Sequence, residues 1–275
     1  MRKLHLTLLI LVTALGAETA LACGTPIDLA AHGGTSLRYG LSGPDTDARA
    51  ALVLLPGGGG FIDLGRDGCP RQLTGNSLIR KHPHFHAAGF LTALVDAPSD
   101  HQGREGLGEF RIDPDHAADI GKVIADLRQR TGLPVWLVGT SRGAISAANA
   151  ASRLTGAHAA DGLVLTSPVT AGREGARKPW VAHSVFSLDL DSIRMPVLVV
   201  VHAEDKCVRT PPDLADKIAA ETTSPREQTV TVTGGPGWSG ETGVKACRGK
   251  SPHGFLEQEA EVAAGIARFI AGGQY

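Results

Sequence analysis

The chain has 275 residues, 42% of them hydrophobic and 20% charged, a balance that excludes a disordered protein and fits one large α/β domain or two small ones. A formal net charge of −1 excludes the basic excess that nucleic acid or an anionic membrane surface would call for. An aromatic share of 4% leaves no base-stacking surface.

Residues 1–22 read as a secretory signal peptide. Arg2 and Lys3 give a positive start, residues 4–15 are almost wholly apolar, and Ala20-Leu21-Ala22 is a small-x-small cleavage site. The mature chain is therefore expected to begin at Cys23 and to be secreted or periplasmic. Leu21 fits a lipid-attachment signal poorly and no other stretch is long and apolar enough to span a bilayer, so no membrane contact of the mature form is expected. Four cysteines remain, Cys23, Cys69, Cys207 and Cys247; an even count in an exported protein suggests two disulfides, with three pairings open.

Residues 23–50 are polar and hold one or two edge strands, such as 35–41. Residues 51–55 form a short buried-type strand that runs into Pro56-Gly57-Gly58-Gly59-Gly60. Glycines there let the backbone approach a ligand with its N–H groups free. No Lys-Ser/Thr follows and the run does not fit G-x-G-x-x-G, so an oxyanion-binding loop fits better than a phosphate cradle. Gly58 is the expected donor, with Gly59 next to it. A helix is predicted over 76–88, interrupted by Pro83. Its alternate histidines, His82, His84 and His86, would point in different directions with no acid or cysteine nearby, so no metal site is expected. The strand 90–95 ends in a loop where Asp96, Asp100 and His101 either cap the backbone or meet a substrate. Residues 115–130 form an amphipathic helix, with Ala118, Ile120, Val123, Ile124 and Leu127 at helical spacing.

The strongest signal is Val135-Trp136-Leu137-Val138-Gly139-Thr140-Ser141-Arg142-Gly143-Ala144-Ile145: a strand, a G-x-S-x-G turn and the start of a helix. In that setting the turn is a nucleophile elbow. Gly139 and Gly143 remove Cβ atoms that would clash, Ser141 projects above the sheet end, and the Arg142 N–H points to where an oxyanion would form. The plainer alternative is a Gly/Ser loop with Ser141 as a helix cap. A small-residue helix over 142–155, a strand over 162–166 and an irregular 168–194 segment follow. That segment carries Arg173, Arg177, Lys178, Trp180 and His183 and is too short for a cap domain. The strand 196–201 delivers His202-Ala203-Glu204-Asp205-Lys206-Cys207, of which His202 reads as structural. A helix over 211–221, a strand over 227–233 and an amphipathic helix over 254–271 complete the chain. Gly235-Pro236-Gly237-Trp238-Ser239-Gly240 matches the dinucleotide fingerprint formally, but no helix pattern follows it, and no cofactor is expected.

Alternating strands and helices imply an α/β fold, a mostly parallel twisted sheet with helices on both faces. On that frame Ser141, Asp205 and His253 appear in order, each at the same end of the sheet. The order and placement resemble the α/β-hydrolase superfamily over nearly all of the mature chain, and residues 134–150 look like a small exported bacterial branch of it. The resemblance implies a single domain over 23–275 without a large cap. It implies an exported serine hydrolase that cleaves small-molecule carboxylic esters through an acyl-enzyme. Ser141 would be the nucleophile, His253 the base and Asp205 (rather than its neighbour Glu204) the group that orients it, with Gly58 and Arg142 as oxyanion donors. Pro56 stands where many relatives have His, which leaves the backbone role of Gly58 intact. A Cys207–Cys247 bridge would tie the acid loop to the histidine loop and contribute ~3–4 kcal/mol, leaving Cys23–Cys69 as the second. The same machinery could serve amides or peptides, or a non-catalytic binding protein could keep the fold. Arg142 and the basic 168–194 segment hint at an anionic or polar acyl group, although Arg142 could equally pair with an acid.

Overall fold

The computed structural model describes residues 23–275 apart from 45, 104 and 239; the expected signal peptide lies outside the described residues. Eight strands form one sheet in the order β1-β2-β4-β3-β5-β6-β7-β8. They are β1 Thr25–Ala30, β2 Ser36–Ser42, β3 Ala50–Leu55, β4 Phe90–Val95, β5 Val135–Thr140, β6 Gly162–Thr166, β7 Val197–His202 and β8 Glu227–Val232. β1, β2 and β4 pair antiparallel, and every pairing from β4 through β3 to β8 is parallel.

The parallel centre explains the apolar runs. All residues of β3, β5, β6 and β7 are buried, because helices cover both faces of the sheet. Successive side chains then alternate between two cores. Val53, Leu137, Leu165 and Val199 face one core, which α2 (Pro114–Thr131), α3 (Gly143–Arg153) and α4 (Ala215–Ala220) cover. Leu52, Val138, Val164 and Leu198 face the other, closed by α1 (Ser77–Ala87) and α5 (Glu259–Ile270). Each such side chain contributes roughly 1.5–3 kcal/mol relative to exposure. The alanines of α3, among them Ala144, Ala147, Ala148 and Ala151, let that helix lie close on the sheet.

Two helix expectations need correction. α1 runs through Pro83 without a break, capped at its start by the Asn76 side chain, which accepts from the Leu78 N–H at 2.9 Å. Pro83 faces solvent, where a carbonyl deprived of its partner can turn to water, while Leu78 and Phe85 anchor the helix in the core. His82 and His86, four residues apart, share one face, with ring centroids 4.3 Å apart, and both lie on the Thr92 hydroxyl. The last helix starts at Glu259 rather than at Gly254. Residues Pro252–Gly254 form a 3-10 turn, and Phe255 and Glu257 take left-handed backbone angles (φ 55° and 61°) that no helix accommodates.

Lys81 is fully buried between α1 and α5, with its ammonium on the Ser77 hydroxyl and 4.4 Å from the centre of the Phe255 ring. Burial, with the neighbouring Arg80 charge and against the weaker pull of Glu259, lowers its pKa to about 7. The unfolded chain keeps the ordinary, higher lysine value, so between the two it binds more protons than the fold, and stability rises with pH across that window. Lys81→Met is therefore expected to stabilise the protein by about 2–4 kcal/mol near pH 6, with most of the gain gone by about pH 9.5. Thermal denaturation of both proteins at the two pH values measures this.

Candidate active site

The loops at the carboxyl ends of β3, β5, β7 and β8 converge, and each carries a residue expected from the sequence. Ser141 follows β5 directly, with φ at 53°, a left-handed conformation costly for a residue with a Cβ. A Cβ on Gly143 would overlap the Leu55 carbonyl oxygen, so α3 can enter this close beside β3 only with glycine there. The Ser141 carbonyl accepts from the Ala144 N–H at 3.1 Å, and the Ser141 N–H donates to Thr166 O at 3.0 Å, which locks the turn to the next strand.

Asp205 and His253 meet as a bonded pair. His253 Nδ1 lies 2.9 Å from Asp205 Oδ2, and both residues are buried. Asp205 Oδ1 accepts from the Cys207 N–H at 2.9 Å, and Oδ2 also accepts from the Thr210 hydroxyl at 2.8 Å. A carboxylate only accepts, so Nδ1 of His253 carries the proton in this pair, and in the neutral ring Nε2 is the nitrogen with the lone pair. The Ser167 hydroxyl donates to the His253 carbonyl at 2.8 Å and fixes the turn from behind. Glu204, the rival acid, is exposed, and its N–H donates to His202 Nδ1 at 3.1 Å. His202 is spent on that bond and on Gln258 Oε1 at 3.0 Å, a structural role.

The glycine loop after β3 turns back beside the serine. Gly60 N–H donates to Gly57 O at 3.1 Å, and Gly58 sits at φ 60°. Among the described residues neither the Gly58 N–H nor the Arg142 N–H has an acceptor. The loop rests on Arg111, whose Nη2 donates to Pro56 O at 3.1 Å and reaches Gly58 O at 3.4 Å, while Nη1 donates to Ser146 Oγ at 2.7 Å. Burial pushes the Arg111 guanidinium well below the ordinary arginine range, with Arg142 adding to the effect. Of the two roles expected for Asp96, the structure shows the capping one. Asp96 is buried, accepts from the Ile62, Leu64 and Ala97 N–H groups at 2.8 Å each, and so pins the far end of the same loop. Burial nonetheless raises its pKa. Asp100 is held by His32 Nε2 at 3.0 Å.

Two cavities meet at Ser141, sharing Gly58, Ser141 and Cys247 in their walls. One, of about 420 Å³, includes Leu73, Asn76, Lys250 and His253. The other, of about 520 Å³, includes Arg142, Trp180, Val181 and Arg209. Disulfides join Cys207 to Cys247 and Cys23 to Cys69, the pairings that the resemblance implied. The first clips the chain two residues beyond Asp205 to the loop that leads to His253. The 168–194 segment contributes only short 3-10 turns at Pro179–Ala182, Val185–Ser187 and Leu190–Ser192.

Arg111, Thr210 and Ser167 were not singled out from the sequence. No spacing marks them, since each acts across tens of residues or through one hydroxyl. A Thr five residues beyond the acid is the one pattern that could have prompted a search.

No protein-family model matches the chain, and no curated protein matches it in sequence. Solved structures do match. A cold-adapted esterase from an Arctic intertidal metagenomic library is 12% identical at a TM-score of 0.59, over 91% of this chain and 93% of the other. A Pyrococcus furiosus esterase is 12% identical at a TM-score of 0.60, over 90% and 92%. A Paleococcus ferrophilus monoacylglycerol lipase is 17% identical at a TM-score of 0.55, over 86% and 98%. The likeness, which extends over nearly the whole length of these hydrolases, together with the mostly parallel eight-stranded sheet of this chain, identifies the chain as having the α/β-hydrolase fold.

Proposed function

We propose that this protein is an exported serine hydrolase that cleaves carboxylic esters with Ser141, His253 and Asp205. The observation that carries the reading is the His253–Asp205 pair, bonded through Nδ1, with His253 lining the same cavity as a serine in a strained turn. Ser141 Oγ attacks the ester carbon as His253 Nε2 takes its proton. The oxyanion forms between the Gly58 and Arg142 N–H groups. The bond to the alcohol oxygen breaks as His253 returns the proton to it. Water, deprotonated by His253, then releases the acid from Ser141. The esterase and lipase names of the structural neighbours fit an ester substrate. Two disulfides fit an oxidising compartment and so the export expected from residues 1–22. Among the described residues no helix is long and apolar enough to cross a membrane.

A fluorophosphonate probe tests the reading. Purified protein is expected to label at Ser141, as read by mass spectrometry of the adduct, and Ser141→Ala to stay unlabelled while keeping its thermal midpoint. A folded, disulfide-bonded wild type that does not label would overturn it.

A further inference from the structure

The larger cavity beside Ser141 is lined by arginines and, among the described residues, by no acid. Three arginines line it, Arg142, Arg173 and Arg209, with Trp180 and the side chains of Val169, Val181, Val208 and Val244. Arg142 is the unusual member. Its guanidinium stacks on Trp180, with the central carbon 3.8 Å from the ring centre. Its Nη2 is shut off from solvent and has no hydrogen-bond partner. Its side chain has no acceptor among the described residues, whereas native folds pair nearly all buried donors. Burial, with the nearby Arg209 charge, lowers its pKa to about 10; Glu105 offsets part of this but is itself engaged by Lys178 and by the Trp180 indole N–H at 3.1 Å. Arg209 donates to Ala171 O at 2.6 Å and His183 O at 3.0 Å, which fixes its charge at the cavity wall. Arg173 is exposed at the rim.

Geometry divides the two cavities between the halves of an ester. The leaving oxygen takes its proton from His253, so the alcohol departs on the side of His253, Asn76 and Lys250. The acyl group then occupies the arginine side. We propose that the preferred substrate is an ester of an acid with a second, free carboxylate: its methylene chain lies along Trp180 and the valines, and its terminal carboxylate is received by the Arg142 guanidinium with Arg173 and Arg209 around it. An anion there supplies the acceptors that Arg142 lacks, and a planar guanidinium suits a carboxylate in a bidentate fit. A neutral acyl chain of the same length leaves that donor unpaired. The proposal rests on the esterase reading above and deepens it.

The test compares kcat/KM for the 4-nitrophenyl monoesters of glutaric, adipic and suberic acids with neutral 4-nitrophenyl alkanoates of matched length. Wild type, Arg142→Gln and Arg173→Gln are measured, and fluorophosphonate labelling of Ser141 is run in parallel. The wild type is expected to favour an anionic ester by about tenfold or more at one of the three lengths, mostly through KM. The anionic-to-neutral ratio is expected to fall below one in Arg142→Gln and by a smaller factor in Arg173→Gln. If Arg142→Gln does not fold, the wild-type ratio and the Arg173→Gln ratio still decide. A wild type that labels at Ser141 and turns over the neutral esters as well as or better than the anionic ones at every length overturns this proposal alone. So does a ratio that neither variant changes. No labelling and no turnover of either series overturns the esterase reading and this proposal with it.

Discussion

Ester turnover is expected to fall about 10⁴-fold when Asp205 is replaced by asparagine, with KM nearly unchanged. The argument runs through three donors that surround one carboxylate. Oδ1 takes the Cys207 N–H at 2.9 Å, and Oδ2 takes the Thr210 hydroxyl at 2.8 Å and His253 Nδ1 at 2.9 Å. An amide has one oxygen to offer where the carboxylate had two. If the amide nitrogen faced the Cys207 N–H, two donors would meet in a buried place, at a cost of ~1–3 kcal/mol. The favoured orientation keeps oxygen on Cys207 and turns the NH₂ toward His253. Nδ1 must then accept, the imidazole proton moves to Nε2, and the ring can no longer take a proton from Ser141. Thr210 can rotate its hydroxyl and does not oppose the switch. Steady-state kinetics with a 4-nitrophenyl ester, together with the rate of fluorophosphonate labelling, measure the effect. Both are expected to drop by a similar factor, since both need the activated serine. A loss below about tenfold would mean that His253 does not depend on Asp205 for its tautomer.

How much of this was legible in the sequence follows from where the determinants lie. The strands 51–55, 135–140 and 162–166 were readable because a sheet covered on both faces demands unbroken apolar runs, and such runs are local. The strand-turn-helix around Ser141 was readable because so tight a turn needs small neighbours at fixed positions. The start of the last helix was misread because Phe255 and Leu256 continue its apolar pattern backward. Phe255 is buried for another reason, as a wall under Lys81, and reaches that place through a left-handed turn. The break expected at Pro83 failed because the proline ring lies on the solvent face, a fact that packing alone decides. For Asp96 the sequence left capping and substrate contact both open; it faces inward and caps, accepting three backbone N–H groups, two of them from a segment more than thirty residues earlier that no local pattern could name. Support for the glycine loop after β3 was invisible in the same way. Arg111 stands in an unremarked Glu-Phe-Arg-Ile stretch, and its partners Pro56 and Ser146 lie 55 and 35 residues away along the chain.

Arg111 gives the second large effect, and the sign of its influence on stability separates a functional from a structural role. The guanidinium is fully buried and, among the described residues, has no carboxylate partner and no acceptor for its Nε. Replacing a buried charge by an apolar side chain of similar length is often neutral or favourable, because the desolvation cost of the ion disappears with it. Against this, Arg111→Met would strip a donor from Pro56 O and from Ser146 Oγ, although Ser146 keeps His116 Nε2 at 2.8 Å. One orphaned carbonyl costs ~1–3 kcal/mol, about the size of the relief. The thermal midpoint of Arg111→Met is therefore expected to stay close to that of the wild type. Activity is not. With its Pro56 and Gly58 carbonyls released, the loop between Gly57 and Gly60 can rotate its peptide planes, and the Gly58 N–H loses its aim at the oxyanion. Loss of one such donor lowers kcat about 10²–10³-fold, which is the fall expected here. Differential scanning fluorimetry beside kcat and KM decides it. A variant that melts much earlier and loses activity only in proportion to its unfolded fraction would make Arg111 a scaffold residue. A variant that melts normally and turns over slowly makes it the residue that positions the oxyanion loop.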